Sequence, residues 1–138
     1  MKIFREMVRS TTMGRDAIAH VLPYAEDESL VKAMKEQQQT LEEALKAAER
    51  ELSPKEADEA KGGKLSKTML KASSSFSAML NNDTSHLARM LIEGYETGIV
   101  SLQKCINEMQ KSNDEVPLSA KDLLKTYDKH IRALRKFL

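Results

Sequence analysis

The sequence SHLARMLIEGYETGIVSLQKCINEM, residues 85–109, decides the fold class of this 138-residue chain. Small and apolar residues recur along it at alternating steps of three and four, a spacing that places them on one face of a helix. These residues are Ala88, Leu91, Tyr95, Gly98, Leu102, Cys105 and Met109. The stretch is therefore predicted to be one long helix whose apolar stripe, or seam, faces other helices.

Two glycines stand near this seam, four residues apart, at Gly94 and Gly98. A glycine in a helix interior costs about 1 kcal/mol relative to alanine. Packing against a neighbour that approaches closely would offset that cost. We therefore predict that both glycines are sites of close helix packing, within the fold or against another subunit.

Composition limits the classes of protein that the chain can belong to. The 22 Lys and Arg against 21 Asp and Glu give a net charge of +1, so binding to nucleic acid is unlikely on overall charge alone. A single cysteine, Cys105, excludes an intramolecular disulfide and a cysteine-based metal cluster, and it favours a reducing cytoplasm. Since no long apolar run occurs, neither a signal peptide nor a membrane span is expected.

The same spacing of three and four recurs along the rest of the chain and predicts further helices. Together with the first stretch, they cover residues 3–22, 26–52, 65–80, 85–109 and 119–138. Between the second and third of these, Ser53 and Glu56 have the spacing of a capping box. Because Gly62 and Gly63 follow soon after, only a short helix or an ordered turn is expected there.

The order and spacing of these helices predict an all-α fold with one domain over residues 1–138. Short loops make consecutive helices antiparallel neighbours, so residues 3–52 and 85–138 should each form a helical hairpin. The crossover at residues 53–84 is long enough to return the chain along the bundle, and it contains the extra helix at 65–80. A weak but ordered similarity between the two hairpins supports a four-helix bundle.

Two motifs then resemble those of a known family. They are Leu65-Ser66-Lys67-Thr68-Met69 and Ser85-His86-x-Ala88-x-Met90-x-Ile92-x-Gly94-x-x-x-Gly98-Ile99. Together they are similar to a family of uncharacterised bacterial proteins, mostly from Firmicutes, that form ferritin-like bundles. The resemblance covers most of the chain. It implies a ferritin-like fold, a domain of unknown function and no established activity.

A di-iron ferritin-like site needs inward carboxylates on two helices and Glu-x-x-His on the other two. In this chain the inward polar positions are predicted to be Thr11, Gln38, Tyr95, Tyr127 and His130. The acidic residues of the first and fourth predicted helices project away from the seams at 100° per residue. The motif is not intact, so we predict no catalytic, cofactor or metal site.

Two interpretations of these five polar positions stay open. They could surround one pocket that binds a ligand, or their polar atoms could pair with each other or with water, which is the commoner situation in a protein core. Cys105 is expected to be a buried small hydrophobe. The basic end of the last helix, at Lys129, Arg132, Arg135 and Lys136, complements the helix dipole, although it could also meet phosphate or an acidic partner.

These observations favour a non-catalytic ferritin-like bundle that serves as a protein-interaction or accessory module in the bacterial cytoplasm. A homo-oligomer or a protein partner fits this hypothesis, and no cofactor is implied. One alternative is a divergent metal-binding or redox ferritin-like protein. Another is a nucleic-acid or membrane-surface binder that uses the basic C-terminal helix.

Overall fold

The computed structural model describes residues 1–62 and 83–138, and these residues are helical, with no strand among them. The prediction of an all-α fold is thereby confirmed. The elements are α1 Lys2–Val21, a short 3-10 helix Leu22–Tyr24, α2 Glu28–Glu49, α3 Pro54–Gly62, α4 Thr84–Lys111 and α5 Leu118–Arg135. None of the helices in the two described ranges combines the length and the apolar content needed to cross a bilayer.

Local side-chain chemistry explains where several helices begin. The Asp27 carboxylate accepts a hydrogen bond from the Leu30 amide at 2.9 Å and so caps α2. At α3 the predicted capping box forms, because the Glu56 amide donates to Ser53 Oγ at 3.2 Å and the Ser53 amide donates to Glu56 Oε1 at 3.3 Å. No such cap is found at the start of α5, which was expected to begin at Ser119. It begins at Leu118 after Pro117.

Contacts between the ends of the helices define their directions. Arg5 near the start of α1 pairs at 2.8 Å with Glu56, which follows shortly after the end of α2, and Lys2 at the start of α1 pairs with Glu108 near the end of α4 at 2.8 Å. Both α2 and α4 therefore run antiparallel to α1, and α5 packs on α4 after a short loop. The four long helices run up, down, down and up, and α3 packs on α1.

One hydrophobic core joins these four helices. Its largest fully buried side chains include Ile18, Leu41, Leu102 and Leu134, one from each long helix. The short helix expected after residue 53 is α3. The extra helix expected at 65–80 lies outside the described residues.

The seams differ from the predicted ones at two positions, whereas His130, predicted among the inward polar residues, is buried at 6% exposure. Gln37, not the predicted Gln38, is buried on α2, and Leu123 is more deeply buried on α5 than Leu124, which the predicted seam of that helix included. These one-residue differences have a geometric reason. Apolar residues spaced by three then four, or by four then three, follow the same helix face equally well, so the spacing does not decide between adjacent positions.

Candidate functional site: a buried polar centre and an adjoining groove

Three side chains from three helices form a hydrogen-bonded cluster inside the core, which we call the polar centre: Gln37, Tyr95 and His130. The Tyr95 hydroxyl donates to Gln37 Oε1 at 2.8 Å and lies 3.0 Å from His130 Nδ1. The Gln37 amide nitrogen donates to the backbone carbonyl of His130 at 3.4 Å. The polar centre therefore ties α2, α4 and α5 together at one level of the bundle.

The direction of each hydrogen bond in the polar centre follows from the others. Because Gln37 Nε2 faces a carbonyl oxygen, its Oε1 must face the Tyr95 hydroxyl, which uses its single proton on that oxygen. The contact between Tyr95 and His130 then requires His130 Nδ1 to be the donor. His130 is therefore assigned as the neutral tautomer that carries its proton on Nδ1.

A second buried hydrogen bond connects α1 to α5. The Tyr127 hydroxyl and Ser10 Oγ lie 2.6 Å apart, and Ser10 Oγ also donates to the Met7 carbonyl at 3.4 Å. Tyr127 is therefore the donor to Ser10. The Tyr127 ring lies 5.6 Å from the Tyr95 ring, centroid to centroid. The contact between the two rings places the hydrogen bond of Tyr127 and Ser10 next to the polar centre.

Burial keeps the ionisable groups of this region in their neutral forms. It raises the pKa of the Tyr95 hydroxyl, and it raises that of Tyr127 although the hydrogen bond with Ser10 acts in the opposite direction. Burial, with a smaller contribution from the neighbouring Lys129 charge, lowers the pKa of His130 to about 4. At neutral pH the region therefore holds polar but uncharged side chains.

A ferritin-like metal pair does not fit these donors. Hard metal ions in such bundles need several carboxylate oxygens, whereas the polar centre offers an amide, a phenol and one imidazole and no carboxylate. Within residues 1–62 and 83–138, no group of three or more His, Cys, Asp or Glu side chains is arranged to hold a metal ion.

A groove between α1 and α4 adjoins the polar centre and has a volume of about 470 Å³. The rings of Tyr95 and Tyr127 line it, while their hydroxyls engage Gln37 and Ser10. Its other described lining residues are mostly small or apolar, with a few polar or charged ones among them. They are Glu6, Arg9, Ser10, Met13, Gly14, Ala17 and His20 on α1, and Met90, Leu91, Glu93, Gly94, Thr97, Gly98 and Ser101 on α4.

The two glycines singled out on α4 differ in their surroundings. A Cβ at Gly98 would lie 3.4 Å from Tyr127 Cε2, so this position is one of close packing. A Cβ at Gly94 would meet nothing within 4 Å. Among the described residues no neighbour packs closely against Gly94, which opens into the groove, and close packing there against another subunit stays a prediction. On the opposite wall, a Cβ at Gly14 would lie 3.0 Å from Leu41 Cδ1.

The five polar residues predicted to surround a pocket are not brought into one cavity. Tyr95 and His130 belong to the polar centre, and Tyr127 lies beside it. Thr11 is fully buried, but its hydroxyl donates to the Met7 carbonyl of its own helix at 2.6 Å. Gln38 is half-buried, and its neighbour Gln37 takes the inward place. The described lining of the groove includes the two tyrosines but not Thr11, Gln38 or His130.

Two further sequence predictions concern Cys105 and the basic end of α5. Cys105 is buried, as expected, at 5% exposure, and burial raises the pKa of its thiol. The four cations at the end of α5 are all exposed. The residues that sequence reasoning missed are Ser10 and Gln37, which lie beside the predicted Thr11 and Gln38.

Comparison with known proteins adds no assignment to this geometry. No protein-family model matches the chain, and no match was found among curated proteins or solved structures.

Proposed function

We propose that this chain is a non-catalytic ferritin-like four-helix bundle that acts as a protein-interaction module in the bacterial cytoplasm. The up, down, down and up order of α1, α2, α4 and α5 supports the ferritin-like topology, because a long crossover between two hairpins produces that order. The two motifs that resemble the Firmicutes family agree with it.

The observation that carries the proposal is the neutral hydrogen-bond network of Gln37, Tyr95 and His130, which contains no carboxylate. In a di-iron bundle the inward positions would present carboxylates with free lone pairs. In this chain the described hydrogen bonds use the phenol proton, the Gln37 amide and Nδ1 of the imidazole. The remaining imidazole nitrogen, His130 Nε2, would be a single ligand, which is too few to hold a metal pair.

The groove between α1 and α4 provides the surface for interaction, and we propose that a second copy of the chain occupies it. In an isologous dimer the grooves of the two copies would face each other across a two-fold axis, so that the same residues of each copy form the contact. Small residues on both walls, including Ala17 on α1 and Gly94 on α4, let another helix approach closely.

Sedimentation and metal analysis of untagged protein test this function together. We expect a dimer that dissociates on dilution and protein without a stoichiometric metal. The Gly94→Arg variant should be monomeric, because its side chain fills the groove from a position with free space. Gln103→Arg, an equal charge change at an exposed position of α4 outside the groove, should dimerise normally.

Each measurement has an outcome that opposes the proposal. Stoichiometric iron, manganese or zinc in the untagged protein would favour the metal-binding alternative. A monomer at every concentration, or equal dimerisation of both arginine variants, would reject the groove as the contact between copies.

A further inference from the structure

The outer face of α5 carries a dense group of cations, which we call the basic row. Its members are Lys121, Lys125, Lys129, Arg132, Arg135 and Lys136, and all six are exposed. The ion pairs found in the described parts of the chain involve none of them. Two carboxylates, Asp122 and Asp128, lie on the same helix without forming an ion pair with the row.

The geometry of the basic row is linear. Lys121, Lys125 and Lys129 follow each other at steps of four, and Arg132 and Lys136 continue at steps of three and four, so these residues share one face. At 1.5 Å of rise per residue, successive cations are about 6 Å apart along the axis, and the row extends for about 22 Å.

The total charge of +1 does not reveal that positive charge is concentrated at the C-terminal end of the chain. From Leu118 to the end of the chain there are six cations and two carboxylates, a charge of +4, and the remaining sixteen cations and nineteen carboxylates sum to −3. The three lysines of α2 stand against five glutamates, and α4 is neutral. On α1 the arginines are matched by carboxylates, as in the 2.8 Å pair of Arg5 with Glu56.

Two observations limit the kinds of anionic partner that the basic row can bind. Its apolar face, with Leu123, Tyr127 and Leu134, lies in the core, so the helix has no apolar stripe to insert into a lipid surface. Stacking on unpaired bases needs exposed aromatic rings, and none of the described aromatic side chains is fully exposed. A linear array of positive charges is complementary to the regularly spaced phosphates of a double-stranded nucleic acid, whose bases are paired and need no stacking partner.

We propose that the basic row on α5 binds the phosphate backbone of double-stranded nucleic acid without reading its sequence. Lysine and arginine side chains at successive turns contact successive phosphates and release their counterions. Binding therefore depends steeply on salt and little on base sequence. This interaction uses a different surface from the groove and is independent of self-association.

Fluorescence anisotropy with a labelled DNA duplex of mixed sequence tests the proposal on the full chain. We expect binding at low salt whose logarithmic affinity falls linearly with the logarithm of salt concentration. The Lys125→Glu/Lys129→Glu variant should lose at least about 10-fold in affinity, and its salt slope should fall by about two. The Lys32→Glu/Lys35→Glu variant changes the charge equally on the exposed face of α2 and should bind within about threefold of wild type.

Circular dichroism of both variants establishes that they are folded, which is expected because all four lysines are exposed. Three results would overturn the proposal. They are no duplex binding at low salt, equal losses in the two variants, and binding that salt does not weaken. Tighter binding to phosphatidylserine vesicles than to DNA, with the same dependence on Lys125 and Lys129, would replace nucleic acid with a membrane surface.

Discussion

The polar centre and the groove meet at Tyr95, yet they are built by opposite means. At the polar centre, Tyr95 meets Gln37 and His130, and each hydrogen bond fixes the direction of the next. In the groove, the rings of Tyr95 and Tyr127 border a space that no described side chain fills. At the polar centre hydrogen bonds tie three helices together, whereas in the groove α1 and α4 leave open space between them, and we expect the two regions to respond differently to substitution.

The largest expected effect comes from Tyr95→Phe, which removes the hydroxyl from the polar centre but keeps the ring in the groove. Gln37 Oε1 and His130 Nδ1 would both lose their partner while buried. Unpaired buried polar groups cost about 1 to 3 kcal/mol each, so we expect a loss of about 3 kcal/mol in the free energy of unfolding. Urea denaturation measures this loss.

Tyr24→Phe is the matched control for that substitution. Tyr24 is half-buried, and no hydrogen bond of its hydroxyl is found among the described residues. Its loss should be under about 0.5 kcal/mol. Equal effects of the two substitutions would mean that the polar centre does not specify the fold.

A smaller effect is expected from acidification, which acts on the polar centre through His130. Burial lowers the pKa of the folded-state imidazole to about 4, whereas the unfolded chain has the ordinary value near 6.5. Between these values the unfolded state binds more protons, so stability falls as pH falls from 6.5 to 4, by about 2 kcal/mol. The Glu56 carboxyl, whose pKa Arg5 and Ser53 lower from 4.5 to about 2, acts in the same direction at the acidic end of this window, because the unfolded carboxyl already binds protons there.

Denaturation at a series of pH values measures the slope, and NMR of the imidazole measures the midpoint directly. The nitrogen shifts should also report a proton on Nδ1 at neutral pH. An imidazole midpoint near 6.5, or a proton on Nε2, would contradict the hydrogen-bond directions assigned to the polar centre.

The all-α class followed from the sequence because seams spaced by three and four residues have no counterpart in strands. The seam also identified Tyr95 and Tyr127 as inward residues. What it did not resolve was the choice between neighbours of similar chemistry. Gln37 and Gln38 are both compatible with Met34 and Leu41 on one face, and only the position of His130 on α5 selects Gln37.

The groove was beyond sequence reasoning for a different reason. A glycine on a helix predicts either close packing or open space, since both situations lack a Cβ. Gly98 meets the first condition against Tyr127, and Gly94 meets the second. Which situation applies depends on how close α1 and α5 lie to each glycine. The spacing of residues along one helix carries no information about its distance from other helices.

The smallest expected effect separates these two glycines directly. In Gly98→Leu the new side chain meets Tyr127, and overpacking of about 2 kcal/mol outweighs a gain of about 0.8 kcal/mol in helix propensity, for a net loss of about 1 kcal/mol. In Gly94→Leu the side chain enters open space, so the propensity gain of about 0.8 kcal/mol should remain. Thermal unfolding of the two variants measures the difference. If Gly98→Leu is as stable as Gly94→Leu, then the Tyr127 side chain moves aside at little cost in free energy, and Gly98 is not a position of close packing.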